Sequence, residues 1–332
     1  MKKITDSLYD NFCSEVSLLQ AWGLVRRGSH CTTERQVFER NIDLEIKKLH
    51  HELVSGHYHH SSYRHITIFD KKRREIHIPH FRDRLVHAAL FQQCFPFIEH
   101  RLSRSVYSGI QNRGVDFALH RLQKLLQCGR DMHVWHGDIK KCFPSVSHEV
   151  TVSALDELFE GDRWRRLFEA ILVSFSPGLP LGNLSSQIFI HAVLMKIDRI
   201  LFDLGLDKKF IRYGDDYFVV GSNDDCQFAS RSIIKLAQTL NLQLHQKFYA
   251  QPPIYALGRF VSPYNIRLPH QLKNRIFHNL HQAVLKCNAG EISVKNLASI
   301  YSSYRSLHTI PTDRHYQEQL QCILLSSHSL FT

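Results

Sequence analysis

Tyr213-Gly214-Asp215-Asp216 stands between two apolar runs, Phe210-Ile211-Arg212 before it and Tyr217-Phe218-Val219-Val220 after it. Strand-forming residues on both sides of a Gly-Asp pair predict a tight β-hairpin with that pair at its tip. Two adjacent carboxylates repel each other, and holding them in a turn between apolar strands calls for a cation. Oxygen ligands this hard favour magnesium or manganese. A solvated turn of the Asp-Gly type uses the same residues, so the hairpin alone leaves both readings open.

Charge narrows the choice. Lys and Arg number 42 against 31 Asp and Glu, a net charge of +11, and 23 histidines add cations beside phosphate or at mildly acid pH. A balance of this size favours a polyanion, nucleic acid before membrane, because neutralising phosphates releases counterions. The 332 residues suffice for two or three compact units. Eight cysteines lie far apart with no CxxC pair, the pattern of reduced thiols in a cytoplasmic protein, which argues against structural zinc and a disulfide framework. Met1-Lys2-Lys3-Ile4 leads into no apolar run of signal-peptide length, and no stretch is long and apolar enough to span a bilayer. The expectation is a cytoplasmic, soluble protein without a membrane partner.

Along the chain, Leu18, Leu19, Trp22 and Val25, then Phe38, Ile42, Leu49 and Leu53, form helical stripes within 7–55. From His57 to Arg84, histidines with Tyr58 and Tyr63 lead into a dense basic run and then alternating Ile76 and Ile78, which reads as a hairpin whose turn, Asp70-Lys71-Lys72, runs into Arg73-Arg74; cations so dense suit a triphosphate or a nucleic-acid backbone, and a solvated turn would look alike. Helices are predicted over 84–102, 115–128, 148–174, 188–202 and 224–240, with strands over 133–139, 242–248 and 255–261. Pro263 and Pro269 mark a linker. Beyond it Leu272, Ile276, Leu280 and Val284 predict an amphipathic helix with Lys273 and Arg275 on other faces. The histidines of 50–87 have no carboxylate or cysteine completing a recognisable zinc set.

His133-Val134-Trp135-His136-Gly137-Asp138-Ile139 is a short strand ending on an acid. A sheet that placed its end beside the hairpin tip would unite Asp138 with Asp215 and Asp216, and three carboxylates can hold two divalent ions for phosphoryl transfer.

With these residues in view, the chain resembles reverse transcriptases from about residue 60 to 265, in the right order. Tyr213-Gly214-Asp215-Asp216 resembles the Y-x-D-D box, and Gly137-Asp138 through Phe143 the first catalytic motif of the palm. Arg74-Glu75-Ile76 is similar to the fingers strand whose arginine meets the triphosphate, Leu242 to Lys247 to the segment with a lysine near it, and Tyr255-Ala256-Leu257-Gly258 to the primer grip. The Gly-Asp-Asp of the hairpin is shared with RNA-dependent RNA polymerases, so it does not choose the sugar. Phe143, five residues after Asp138, bears on that choice: an aromatic ring there would stand under the sugar and exclude a 2′-hydroxyl, although a core phenylalanine has the same letter. Gly178-Leu179-Pro180-Leu181-Gly182-Asn183-Leu184-Ser185-Ser186-Gln187 resembles bacterial enzymes of diversity-generating retroelements and of related unknown groups, many of them defence-associated. Leu181 replaces the glutamine common in retroviral and group II intron enzymes, which removes a polar contact and predicts relaxed fidelity or unusual products. Gln111 stands where many relatives have arginine, with Arg113 as its substitute.

The resemblance implies an α+β right-hand polymerase: N-terminal helices and fingers over 1–130, an RRM-like antiparallel palm over 131–262 and a short helical thumb over 263–332. It implies Mg2+ or Mn2+ on Asp138, Asp215 and Asp216. Lys72, Arg74, Arg113, Phe143, Leu181, Gly182 and Lys247 would contact the nucleotide, and Gly258, Arg259, Lys273 and Arg275 the nucleic acid. The implied reaction is RNA-directed DNA synthesis from dNTPs on a dedicated noncoding RNA, through a DNA/RNA duplex, in antiphage defence, with an accessory protein or homo-oligomer as further partners. A diversity-generating retroelement is the alternative setting, and a catalytically reduced RNA-binding scaffold the alternative of another class.

Overall fold

Helices open the chain where the apolar stripes predict them: α1 (Asp6–Cys13), α2 (Glu15–Arg27), α3 (Thr33–Arg40) and α4 (Ile42–Ser55). Ser14 and Thr32 cap α2 and α3, each hydroxyl accepting a first-turn N–H, and Gly56 ends α4 in the left-handed region. The computed structural model describes residues 3–29, 31–69, 73–129, 131–306 and 314–325. Strands β1 (Arg64–Phe69) and β2 (Arg73–Ile78) then pair antiparallel, from Arg64↔Ile78 to Phe69↔Arg73. Their basic turn, with Lys72, lies outside the described residues.

Helices α5 (Phe81–Glu99) and α6 (Val115–Leu126), strand β3 (His133–Ile139), and helices α7 (Cys142–Ser145), α8 (His148–Asp156), α9 (Asp162–Val173) and α10 (Leu184–Asp203) follow. Next come β4 (Phe210–Tyr213), β5 (Asp216–Gly221), α11 (Asn223–Thr239), β6 (Leu244–Tyr249), β7 (Ile254–Ala256), β8 (Arg259–Val261) and β9 (Ile266–Arg267). Helices α12 (His270–Asn288), α13 (Val294–Ser306) and α14 (Arg314–Leu325) complete the described chain. The architecture is α+β, and among the described residues no helix is long and apolar enough to cross a membrane.

Three expectations give way. The single helix over 148–174 is two, α8 and α9, because Gly161 takes φ +117° with Asp6 packed where a β-carbon would stand, and Ile4 bridges to Phe159. The strand over 255–261 is the β7–β8 hairpin, turned by Leu257 and Gly258, both at positive φ (48° and 81°), as a I′ turn requires. The linker between Pro263 and Pro269 contains β9, which adds a third strand through Phe260↔Arg267 and Val261↔Ile266.

Contacts divide the chain into two compact units. The first, 1–106 with 137–208 and 228–246, is mainly helical. Tyr9, Phe12, Phe159, Trp164 and Phe168 cluster in its core, and the Trp164 indole N–H donates to the Thr5 carbonyl at 3.2 Å. Burying rings of this size contributes roughly 2–3 kcal/mol each. The second unit, 107–136 with 209–227 and 247–332, has two apolar clusters. In one, Leu119, Leu122 and Leu126 of α6 meet Ile211, Phe218, Val220, Ile254, Val261 and Ile266. In the other, Ile276, Leu280 and Val284 of α12 meet Leu297, Tyr316 and Leu320.

Candidate metal centre

Register places the carboxylates. Tyr213 pairs with Asp216 and Ile211 with Phe218, which leaves Gly214 and Asp215 as a two-residue turn. Gly214 lies at φ +66° and Asp215 is not left-handed, so glycine fills the first central place, as a II′ hairpin requires. Neighbouring chain holds this turn. The Gly214 N–H donates to the Ser108 hydroxyl at 2.7 Å, and the Tyr107 N–H to the Arg212 carbonyl at 2.9 Å. Arg212, fully buried, aims its guanidinium back toward the Gly214 carbonyl.

The hairpin belongs to a four-stranded sheet of order β4-β5-β3-β6, which makes β3 the neighbour of β5. Side chains two apart on a strand share a face, so Val134, His136 and Asp138 align on β3, and Asp216, Phe218 and Val220 on β5. Val134, Phe218 and Val220 are buried in the cluster under α6, which identifies the face carrying both acids. Asp138, Asp215 and Asp216 each offer one carboxylate oxygen, and these lie within 4.8 Å of one another. All three residues are partly exposed.

This donor set fits a hard divalent cation: three carboxylates from distant segments each bring one oxygen to the same spot, the hard ligand type such a cation takes. His136 supplies part of the support. Its Nε2–H donates to Oδ1 of Asp216 at 2.7 Å while its ring stacks on Phe218, centroids 4.3 Å apart and planes within 13°. Sequence reading passed over His136 and Ser108. The first carried a signal, since His136-Gly137-Asp138 places imidazole and carboxylate on one strand face; Ser108 carried none.

The remaining predicted residues fall in several places. Phe143, half-buried in α7, accepts the Leu179 N–H at its carbonyl at 2.8 Å, and Gly178 packs against the same backbone. The loop from 178 to 187 is thereby tied to the residue read as the sugar gate. Gly182, at φ +108°, faces Ile76 on β2, with 3.6 Å left for a β-carbon, and Leu181 beside it is 36% exposed. Arg74 lies on β2, and Arg113 in the loop before α6. Lys247, exposed on β6, places its ammonium 4.6 Å from the centre of the Tyr249 ring. Gly258 is the turn of the β7–β8 hairpin. Arg259 pairs with Ala256, on the covered side of that sheet, and burial, opposed by nearby Asp116, pushes its pKa down. On α12, Lys273 is half-buried and Arg275 exposed.

No family model matches the chain. It is 24% identical over 205 residues to Protein YkfC of Escherichia coli (strain K12), a match covering 56% of this chain and 54% of that protein. The chain thus spans about half the length of the curated relative it matches. Among solved structures it is similar to the RNA-dependent RNA polymerase of BmCPV, determined in situ at elongation state, with a TM-score of 0.48 and 11% identity over 74% of this chain and 26% of that one.

Proposed function

We propose that the chain is a template-directed nucleic-acid polymerase and, within that class, an RNA-directed DNA polymerase. The observation that carries the reading is the convergence of Asp138 with Asp215 and Asp216, three acids from distant segments whose oxygens lie within 4.8 Å. The order of the motifs around them supports it. In this reading residues 1–130 serve as fingers, 131–262 as palm and 263–332 as thumb.

Asp138, Asp215 and Asp216 would hold Mg2+ or Mn2+. Bound there, divalent cations lower the pKa of an attacking 3′-hydroxyl and offset the charge of the transferring phosphoryl group. In the reaction, the 3′-oxygen bonds to the α-phosphorus, the bond to the β-phosphate oxygen breaks, and the hydroxyl proton leaves to solvent. His136 orients Asp216. Lys247 carries an ammonium proton that can pass to the departing pyrophosphate. Arg74, Lys72 and Arg113 would neutralise the triphosphate, and Leu181 and Gly182 would line its base. Phe143 supports deoxynucleotides as substrates, because a ring under the sugar leaves no room for a 2′-hydroxyl. Lys273 and Arg275 would follow the duplex, and Gly258 and Arg259 the primer end, through phosphates rather than bases. The resemblance of the 178–187 loop supports a dedicated noncoding RNA as template and antiphage defence as the setting; genome neighbours typical of a diversity-generating retroelement would favour diversification instead.

The test copurifies the full chain with its nucleic acid, adds dNTPs with Mg2+ or Mn2+, and sequences template and product. Wild type should extend and Asp215→Asn should not. Equal and negligible incorporation by both, with ribonucleotides no better, removes the enzyme reading.

A further inference from the structure

Two imidazoles meet on the β1–β2 hairpin, apart from the carboxylate cluster. His65 and His77 are register partners across the two strands, so their side chains project to one face. Their Nδ1 atoms lie 2.7 Å apart, with ring centres 4.6 Å apart and planes at 89°. Twelve residues separate them in the chain, so no spacing motif announces the pair. His77 is half-buried and rests against two further rings, Phe175 with centroids 4.5 Å apart and Tyr63 with centroids 6.3 Å apart. His65 is exposed, which leaves the pair open to solvent.

We infer that His65 and His77 chelate a divalent transition-metal ion through their Nδ1 atoms, Cu2+ and Ni2+ being the ions whose geometry fits. Metal–imidazole bonds of about 2.0–2.1 Å hold two nitrogens roughly 2.9 Å apart when they meet at a right angle, and roughly 3.4 Å apart at a tetrahedral centre. The observed 2.7 Å is close to the first and well short of the second. Right-angled neighbours belong to the square-planar and tetragonal sites that Cu2+ and Ni2+ prefer, whereas Zn2+ favours the tetrahedron. A straight N–H···N bond of 2.7 Å would set the ring centres roughly 5 Å apart. At 4.6 Å the contact is bent, as it must be for a shared ion to sit beside the line joining the nitrogens.

Local charge admits a cation there. Arg64, next to His65 on β1, projects to the opposite face and pairs with Glu34 at 3.8 Å. Burial first and His65 second lower the pKa of His77, and Glu75, two residues away on the same face, opposes them. His77 is therefore neutral at pH 7, with a lone pair to give. Nitrogen donors also set the pair apart from Asp138, Asp215 and Asp216, whose oxygens suit harder ions. A bound ion would clip β1 to β2, which form a sheet of two strands, and so steady the strand whose Ile76 faces Gly182.

The inference stands apart from the polymerase reading, and its experiment involves no nucleic acid. The full chain, stripped with EDTA and dialysed, is titrated with Ni2+ by isothermal titration calorimetry in excess Mg2+, which competes for the carboxylates. Wild type should show a Ni2+ site that His65→Ala and His77→Ala each weaken by at least about tenfold, because a lone imidazole loses the effective concentration its partner provides. His65→Asn, which keeps a hydrogen-bonding group beside His77 but no imidazole, should lose the site as well. His51→Ala, which removes an exposed histidine of α4, should bind as wild type does. Ni2+ should raise the thermal midpoint of wild type and of His51→Ala, and leave that of the His65 and His77 variants in place. Ni2+ binding within about twofold of wild type by His65→Ala, His77→Ala or His65→Asn, each with an unchanged circular-dichroism spectrum, overturns the inference and leaves a hydrogen-bonded pair. So does a wild type without the site, or a His51→Ala variant weakened as much as His65→Ala, since the ion is then gathered by scattered histidines.

Discussion

The imidazole of His136 lies flat on Phe218 and donates its Nε2–H to Oδ1 of Asp216 at 2.7 Å. A carboxylate only accepts, so this nitrogen carries the proton whichever charge the ring holds. The bond fixes one Asp216 oxygen and aims the other. Supporting bonds of this kind are typically worth about 10- to 100-fold in metal affinity. His136→Phe, which keeps the stack and removes the donor, should raise the Mn2+ concentration needed for half-maximal thermal stabilisation by about tenfold. Unchanged or tighter Mn2+ binding would show that Asp216 needs no such support.

Asp138, Asp215 and Asp216 also set stability without metal. Their oxygens lie within 4.8 Å in a partly exposed site, where each like-charge pair costs on the order of 1 kcal/mol at the high effective dielectric of such a site. Asp215→Asn removes one charge. It should melt higher than wild type in EDTA and lose the stabilisation that Mn2+ gives wild type, so the two melting curves should cross as Mn2+ is added. Parallel curves would mean that the acids hold no ion.

Gly178 and Gly214 both take positive φ, 71° and 66°, but only Gly178 has neighbours where a β-carbon would go, the backbone of Phe143 and Pro144. Alanine at Gly214 meets open space and pays only the left-handed strain, about 1–2 kcal/mol. At Gly178 it must also push two backbone segments apart. In urea denaturation Gly178→Ala should lose clearly more stability than Gly214→Ala; equal losses would mean that the loop moves away from Phe143 freely.

The hairpin and Asp138 were legible because their signals are local: two apolar runs around Gly-Asp, and a period-two strand ending on an acid. The β7–β8 turn was hidden because Leu257 occupies a left-handed conformation that its residue type rarely adopts. The two-residue strand β9 was hidden because so short a strand shows no alternation. The break between α8 and α9 depends on Asp6 and Ile4, far away in the chain. His136 shows where such reading stops. Its face follows from parity with Asp138, but Phe218 and Asp216, the groups that give it a role, arrive only when β5 lies beside β3.

Histidine burial in the helical unit predicts an acid limit. His60 donates Nδ1–H to the Ser61 carbonyl at 2.6 Å, so its Nε2 accepts from His87 Nε2–H at 3.0 Å, and His87 Nδ1 accepts from the Ser185 hydroxyl at 2.9 Å. The chain closes with both rings neutral. Burial, the largest cause, lowers both pKa values, that of His87 strongly. Between the folded values and the unfolded one near 6.5, the unfolded chain binds more protons, so stability is full above about pH 6.5 and falls as pH drops below it. His87→Gln should flatten the pH dependence of the urea midpoint between pH 7 and 5; an undiminished slope would place the titrating group elsewhere.

Phe143 offers the sharpest test of sugar choice because its backbone is held independently of its ring. The Leu179 N–H bonds to its carbonyl at 2.8 Å, and Gly178 packs on the same segment. Exchanging the side chain therefore alters the space the ring fills without releasing the loop. Phe143→Val should admit ribonucleotides, raising kcat/KM for UTP against dTTP by at least about tenfold, a difference of about 1.4 kcal/mol in transition-state binding. The thermal midpoint separates this effect from a packing effect, because a half-buried ring that serves only the core would cost stability when shortened and leave discrimination as it was. Raised ribonucleotide use with a preserved midpoint supports the gate, and a lowered midpoint with unchanged discrimination makes Phe143 a core residue.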